Sequence, residues 1–390
     1  MNAINKAQLG CDELDVLRGL AALFMIVNHA GYNLVEPELY SHSIFDLVLV
    51  VSSYAPVLFF FATGVGAGIQ STYKLKNFNW YPVLYKTAVL LLADWLGFWS
   101  LGIAWGIDFL GFIAISGVVL EFIRCSKNPI ISCLVGILTF SLFRYAIGPH
   151  LDPVTENNFI TNLQHWVFGN IGVQGATYPL SPWMVYPLWG YIVGFYIMHY
   201  RPIIETHKVK LIVTLICLAL LPAVLSIVAE RRGFSFIRWG TVGVGFYIRS
   251  FAVVLLSLAF VWIISALSSL TAIKHALSLR GTSSLAVVPI HYYIIYLVSL
   301  VFVEKDLNTF FPLILVILAL SFWLAKGTNS LGNMMRQSLN PQVGTIGLMV
   351  LYIPVAFLTF YYGFQASSLS IEYKTLGQLL LSLLFVLRKP

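Results

Sequence analysis

The chain has 390 residues, of which 59% are hydrophobic and 10% are charged. A soluble domain usually carries about 25% charged residues, so a water-soluble globule is excluded and a polytopic membrane protein is implied. The net charge of +7 sits mostly at the ends of apolar stretches, where it orients a chain in a membrane and does not mark a nucleic-acid partner.

After a polar start, residues 14–34 read LDVLRGLAALFMIVNHAGYNL, about twenty residues that at ~1.5 Å each cross a ~30 Å hydrocarbon layer. The stretch is longer than the apolar part of a signal peptide, contains Arg18 and lacks a small-residue cleavage site, so it is expected to be retained. Further spans are expected at 45–70 with a kink at Pro56, at 81–100 and 105–123, and up to Gly148. After a long loop over 149–182 they resume at 183–200, 209–229, 243–268, 283–303, 311–326 and 343–366, and the short apolar tail LGQLLLSLLFVL is a candidate twelfth. The expected fold class is all-α: one membrane helix bundle of about 11 transmembrane helices (roughly 10–12), a single domain over 1–390 with its core in 14–366. Cys11, Cys125, Cys133 and Cys217 show no CxxC spacing and read as reduced packing thiols, with neither a disulfide framework nor a metal site.

Placing the amino terminus in the cytoplasm puts Lys74, Lys76, Arg124, Lys127, Arg201, Lys208, Lys210, Lys274, Arg280, Lys326 and Arg336 inside. Loop 149–182 has no Lys or Arg and then faces outside; its length and aromatic content point to an ordered, functional loop. Arg144, Arg231, Arg232, Arg238 and Arg249 fall on the outer side. Their planar forks suit a carboxylate or phosphate, or pairing with Glu230.

Asp15, Arg18 and His29 lie within the first span. Ionisable groups there cost several kcal/mol unless they face a protein interior or a wet cavity. Histidine, with an ordinary pKa of about 6.5, is the usual base for taking a proton from an attacking hydroxyl or amine, or for carrying an acyl group itself. The alternative for a single membrane histidine is a hydrogen bond to a neighbouring helix. On the outer side Asp108, His150, Asp152, Glu156, His165 and Trp166 are candidates to line an acceptor site. Gly64, Gly66 and Gly68 suit close helix packing, with a phosphate-cradling loop as the alternative.

The segment LDVLRGLAALFMIVNHAGY resembles the opening of the membrane-bound acyltransferases, both the acyltransferase-3 family and the heparan-alpha-glucosaminide N-acetyltransferase family. APVLFFFATGVGAG at 55–68, SPWMVYPLWGYIVG at 181–194 and LRGTSSLAVVPIHYYIIYLV at 279–298 resemble later helices of those families, in order along the chain. The resemblance implies acyl-CoA, most simply acetyl-CoA, as a cytoplasmic co-substrate with no tightly bound cofactor. It implies transfer to a sugar hydroxyl or amine at the outer face, an O-acetylation in the reading adopted here. The catalytic residues carried over are His29, with Arg18 and Asp15 of the opening motif; His42, in the loop after the first span, competes with His29. His291 follows from the late helix as a substrate contact beside Asp108, Arg144, His165, Trp166 and Arg249.

Lys74, Lys76, Lys86, Arg124 and Lys127, with Arg18, would hold the coenzyme A phosphates, although positive-inside topology predicts the same residues. Lys74, Lys76 and Lys86 stand where the acyltransferase-3 pattern has arginines. No Walker or Rossmann glycine pattern is present. The expected partners are acyl-CoA, a glycan or lipid-linked sugar of anionic character, and membrane lipids, without nucleic acid; a homo-oligomer is left open. The expected location is a bacterial inner membrane. A transporter or flippase for a lipid-linked sugar is the alternative, and it would favour paired halves that the sequence does not display.

Overall fold

The computed structural model describes residues 11–73, 80–99, 107–151, 159–169, 177–233, 242–302, 306–338 and 371–387. The described chain is an all-α bundle without strands. Helix α1 (Asp12–Leu34) opens with Asp12, Glu13 and Asp15 in its first turn, where carboxylates meet the positive end of the helix dipole. It stops where Val35 turns extended ahead of Pro37. The expected second span is two helices, α2 (Ser43–Ser52) and α3 (Ala55–Ser71). Pro56 sits in the first turn of α3, where a helix needs no amide donor, and the expected kink takes the form of a two-residue turn at Ser53 and Tyr54 within one apolar span over Ser43–Ser71.

The remaining helices are α4 (Trp80–Trp99), α5 (Phe109–Cys125), α6 (Pro129–Leu142), α7 (Phe159–Phe168), α8 (Leu180–Trp183) and α9 (Val185–His199). They are followed by α10 (Arg201–Thr206), α11 (Lys208–Arg231), α12 (Val244–Ala266), α13 (Thr271–Leu277), α14 (Ser283–Val301), α15 (Leu307–Ser338) and α16 (Ile371–Leu387). Among the described residues seven helical stretches are long and apolar enough to cross a membrane. They coincide with expected spans, while α4, α5 and α9 occupy others and are shorter or more polar. The expected span 343–366 lies outside the described residues. The long loop 149–182 is partly helical, forming α7 and α8.

Helix α1 is the axis, in contact with α2, α3, α12, α13, α14 and α15. Of its apolar window 61% is buried, against 6% for α6 and 11% for α11; the last two present most of their apolar surface outward. The tightest pair is α3 with α9. A Cβ on Gly64 would lie 1.9 Å from the Pro187 oxygen, and one on Gly194 would lie 2.2 Å from the Val65 oxygen. The two backbones therefore meet through small residues, as membrane helices do when they gain van der Waals contact. Gly64 and Gly68 thus serve packing against α9, while Gly66 faces α1 beside Arg18. Near its start α1 is just as close to the chain between α13 and α14: a Cβ on Gly19 would lie 1.6 Å from the Leu277 oxygen, and the Leu279 amide donates to the Asp15 carbonyl at 3.1 Å.

Candidate active site

The two ends of α1 carry different chemistry. At its start, carboxylates and cations from several elements are matched. Arg201, in α10, grips Glu13 with two bonds of 3.0 and 3.1 Å and also reaches Glu205 at 2.7 Å. Lys274 holds Asp12 at 2.9 Å. Arg280 binds Asp15 at 2.9 Å and also pairs with Asp12. Arg18 pairs with Asp15 at 3.2 Å. Two-pronged arginine bonds fix geometry as well as charge, so this network ties α1 to α10, α13 and the start of α14. Just ahead of the helix, burial and the nearby Glu13 push the Cys11 thiol up to about 12.

At the other end of α1, His29 meets α14. The Nδ1 of His29 is 2.8 Å from Nε2 of His291, and the rings stack with centroids 5.1 Å apart. The Nδ1 of His291 is 2.8 Å from the Val287 carbonyl oxygen. A carbonyl only accepts, so in the neutral pair His291 carries its proton on Nδ1 and presents a lone pair at Nε2. His29 must then donate from Nδ1, which leaves its own Nε2 as the acceptor. That nitrogen lies 3.3 Å from the Tyr292 hydroxyl, whose ring stacks on His29 at 4.7 Å. His291 is fully enclosed, whereas His29 and Tyr292 are partly accessible. The outcome is a base with a fixed tautomer, whose Nε2 lone pair accepts from the Tyr292 hydroxyl at 3.3 Å.

Two carboxylates and a lysine complete the surroundings. Asp94, buried on α4, accepts the amides of Asp108 at 2.6 Å and Leu110 at 3.0 Å. A carboxylate at the start of α5 satisfies amides that have no partner within the helix. Gly111 makes room, since a Cβ there would lie 2.5 Å from the Asp94 carboxylate. Asp108 accepts a hydrogen bond from Thr177, and its charge acts on Lys374 of α16 and on Tyr292. The Lys374 ammonium stands 5.4 Å from the centre of the Tyr292 ring.

Asp15 and Arg18 do not join this cluster: they precede His29 along α1 by about 21 and 16 Å at ~1.5 Å per residue. His42 is exposed at the position before α2. Among the expected donor-side residues, Lys86 and Lys127 are exposed. Arg124 is buried and held by Glu121 at 2.7 and 2.9 Å. Lys74 and Lys76 lie outside the described residues.

On the acceptor side Arg249 pairs with Glu230 at 3.3 Å, and Arg144 lies beside the Tyr145 ring at 5.8 Å. Trp166 donates to the Tyr178 carbonyl at 3.3 Å. Among the described residues, buried His165 has no partner for Nδ1, and the buried Tyr54 hydroxyl, Ser181 hydroxyl and Trp183 indole N–H have none either. Trp183 packs on Tyr178 at 5.0 Å, and Tyr178 in turn lies near enough to Asp108 and Asp94 to feel their carboxylates. A polar seam thus leads from the histidine pair toward α7 and α8.

Sequence reasoning picked out His29, His291 and Asp108 but not Tyr292, Asp94, Tyr178 or Lys374. Asp94 left a signal, as an ionisable residue inside an apolar stretch, while Lys374 stands just ahead of the apolar tail. Tyr292 left only its adjacency to His291.

The family model described as the heparan-alpha-glucosaminide N-acetyltransferase catalytic domain matches residues 11–221, from the start of α1 into α11. His29, Asp94 and Asp108 fall within the match, while His291, Tyr292 and Lys374 lie beyond it. No curated protein and no solved structure matches the chain. The helical bundle, its membrane-length helices and the match over more than half of the sequence together place the chain in the heparan-alpha-glucosaminide N-acetyltransferase catalytic family, a family of membrane acyltransferases.

Proposed function

We infer that the protein moves an acetyl group from cytoplasmic acetyl-CoA to a hydroxyl of an extracytoplasmic glycan or glycolipid, with His29 as the base. The observation that supports this is the histidine pair, which fixes His29 Nε2 as a lone-pair acceptor, held only by a 3.3 Å bond from the Tyr292 hydroxyl, on a partly accessible side chain. In the reaction, Nε2 takes the proton of the acceptor hydroxyl as its oxygen attacks the thioester carbon. The C–S bond then breaks, and the departing thiolate recovers that proton from the imidazolium, giving an ester and free CoA. His291 stays hydrogen-bonded to His29 throughout and stabilises the charge that appears on it.

The side of the membrane follows from charge. Arg201, Lys274 and Arg280 contact the start of α1 directly, so that end carries the basic residues expected inside the cell. The donor approaches from there, past Lys86 and Lys127. The polar seam around Tyr178, Trp183 and His165 supports an acceptor rich in hydroxyls, because buried donors without protein partners are costly unless a ligand or water meets them.

The test uses the full chain in proteoliposomes supplied with labelled acetyl-CoA and an oligosaccharide acceptor. Acceptor-dependent thiol release and a product label that mild alkaline hydroxylamine removes are expected. A label resistant to hydroxylamine would identify an amide and overturn the O-acetyl assignment. Glycan movement across the bilayer without thiol release would overturn acyl transfer itself.

A further inference from the structure

The C-terminal helix α16 brings a cation to the histidine pair. It packs against α4, α14 and α15, and its seat is defined by two contacts. Gln378 donates to the Ala93 carbonyl at 2.8 Å in a buried position, and Gly377 lets the helix close on Leu96, whose side chain lies 2.9 Å from where a Cβ would stand. One turn earlier, Lys374 projects past Gly97, where its Cε is 4.0 Å from a Cβ position. Its ammonium ends 5.4 Å from the centre of the Tyr292 ring, the same ring that stacks on His29.

Lys374 is partly buried and makes no ion pair with a carboxylate among the described residues. Asp108 acts on it through space without contact. An unpaired cation in a membrane bundle is costly and is characteristically tied to function. The contrast with the start of α1 is sharp, since Lys274 there is bound to a carboxylate at 2.9 Å.

Acyl transfer creates negative charge at one atom. As the acceptor oxygen bonds to the thioester carbon, the carbonyl π pair moves onto the carbonyl oxygen; when the C–S bond breaks, that pair returns. His29 can accept the acceptor's proton but offers no donor to this oxygen, because its Nδ1–H is committed to His291. Resting on the acetyl-transfer reading above, we propose that Lys374 is a catalytic residue whose ammonium binds the oxyanion formed on the thioester carbonyl. Tyr292 touches both the cation and the base, and its ring holds the ammonium in place by a cation–π contact. A preorganised donor of this kind contributes about 10²–10³-fold to kcat.

The experiment compares wild type, His29→Ala, Lys374→Met and Lys374→Arg as full-length proteins in proteoliposomes, measuring kcat and KM for acetyl-CoA-dependent thiol release together with thermal unfolding. The proposal expects Lys374→Met to lower kcat by about 10²-fold or more with KM within about threefold, an unfolding midpoint near wild type, and partial recovery in Lys374→Arg. Should Lys374→Met fold poorly, Lys374→Cys treated with 2-bromoethylamine rebuilds the ammonium, and activity must return; treated wild type controls for the native cysteines. A kcat within twofold of wild type, or a change confined to acceptor KM, overturns the oxyanion role while leaving acetyl transfer intact. Wild type and His29→Ala that are equally devoid of thiol release overturn the acetyl-transfer reading, and the role of Lys374 falls with it.

Discussion

The start and the far end of α1 are both rich in ionisable groups, yet they are organised on opposite plans. At the start, Asp12, Glu13 and Asp15 each have a cation from another element within bonding distance. At the far end, His29 has one nitrogen held at 2.8 Å by His291 and the other only at 3.3 Å by the Tyr292 hydroxyl, and Lys374 stands over a ring without a carboxylate in contact among the described residues. Matched charges lock helices in register, because separating them would strand a charge in a poorly solvated place. Unmatched valences in a partly accessible space are what a reacting molecule can use. The same helix is thus clamped at one end and left chemically open at the other.

The largest effect that would break this contrast is at His29. Replacing it with alanine is expected to reduce acyl transfer by about 10³-fold, with the unfolding midpoint in detergent unchanged; retained transfer in the thiol-release assay would remove it from the mechanism. The converse test is at Arg201, which belongs only to the clamp. Arg201→Ala strands Glu13, which is 7% exposed, and is expected to cost about 3 kcal/mol of stability, read as a lower unfolding midpoint, while kcat per folded molecule stays at the wild-type level.

A smaller effect separates the two members of the histidine pair. His291→Phe preserves ring volume but removes the acceptor that holds the His29 Nδ1–H, so kcat is expected to fall by about 10–100-fold with little change in KM. Equal loss in both parameters would mark His291 as a substrate contact instead. The smallest effect is at Cys11, whose thiol is pushed up to about 12 by burial and Glu13. Maleimide labelling at that position should be negligible at neutral pH and should rise with pH across the alkaline range, because only the thiolate reacts. Fast labelling at neutral pH would show that the clamp beside it is open.

Much of this was visible in the chain. Three ionisable groups in an apolar run drew attention to α1, and Gly64, Gly66 and Gly68 marked close helix packing, which Gly64 and Gly68 make against α9. Pro56 marked the disruption that takes the form of a two-residue turn between α2 and α3. The opening motif was harder to read. Asp15 and Arg18 stood as isolated charges in an apolar run, with no partner visible for Asp15 beyond its own helix. Arg280, which pairs with Asp15, is 265 positions away (280 − 15).

The sequence by itself determined the class of molecule, the helices and the family, because burial of apolar surface and the spanning length of a helix depend on composition and run length alone. Only the tertiary structure decided which ionisable groups are partners. A hydrogen bond needs its heavy atoms within roughly 3.5 Å, and His29 and His291, 262 positions apart, reach 2.8 Å only when α1 and α14 pack together. The same packing sets Lys374 over Tyr292 and leaves Asp15 locked to Arg280. Residue type supplied the candidates, and helix packing sorted clamp from chemistry.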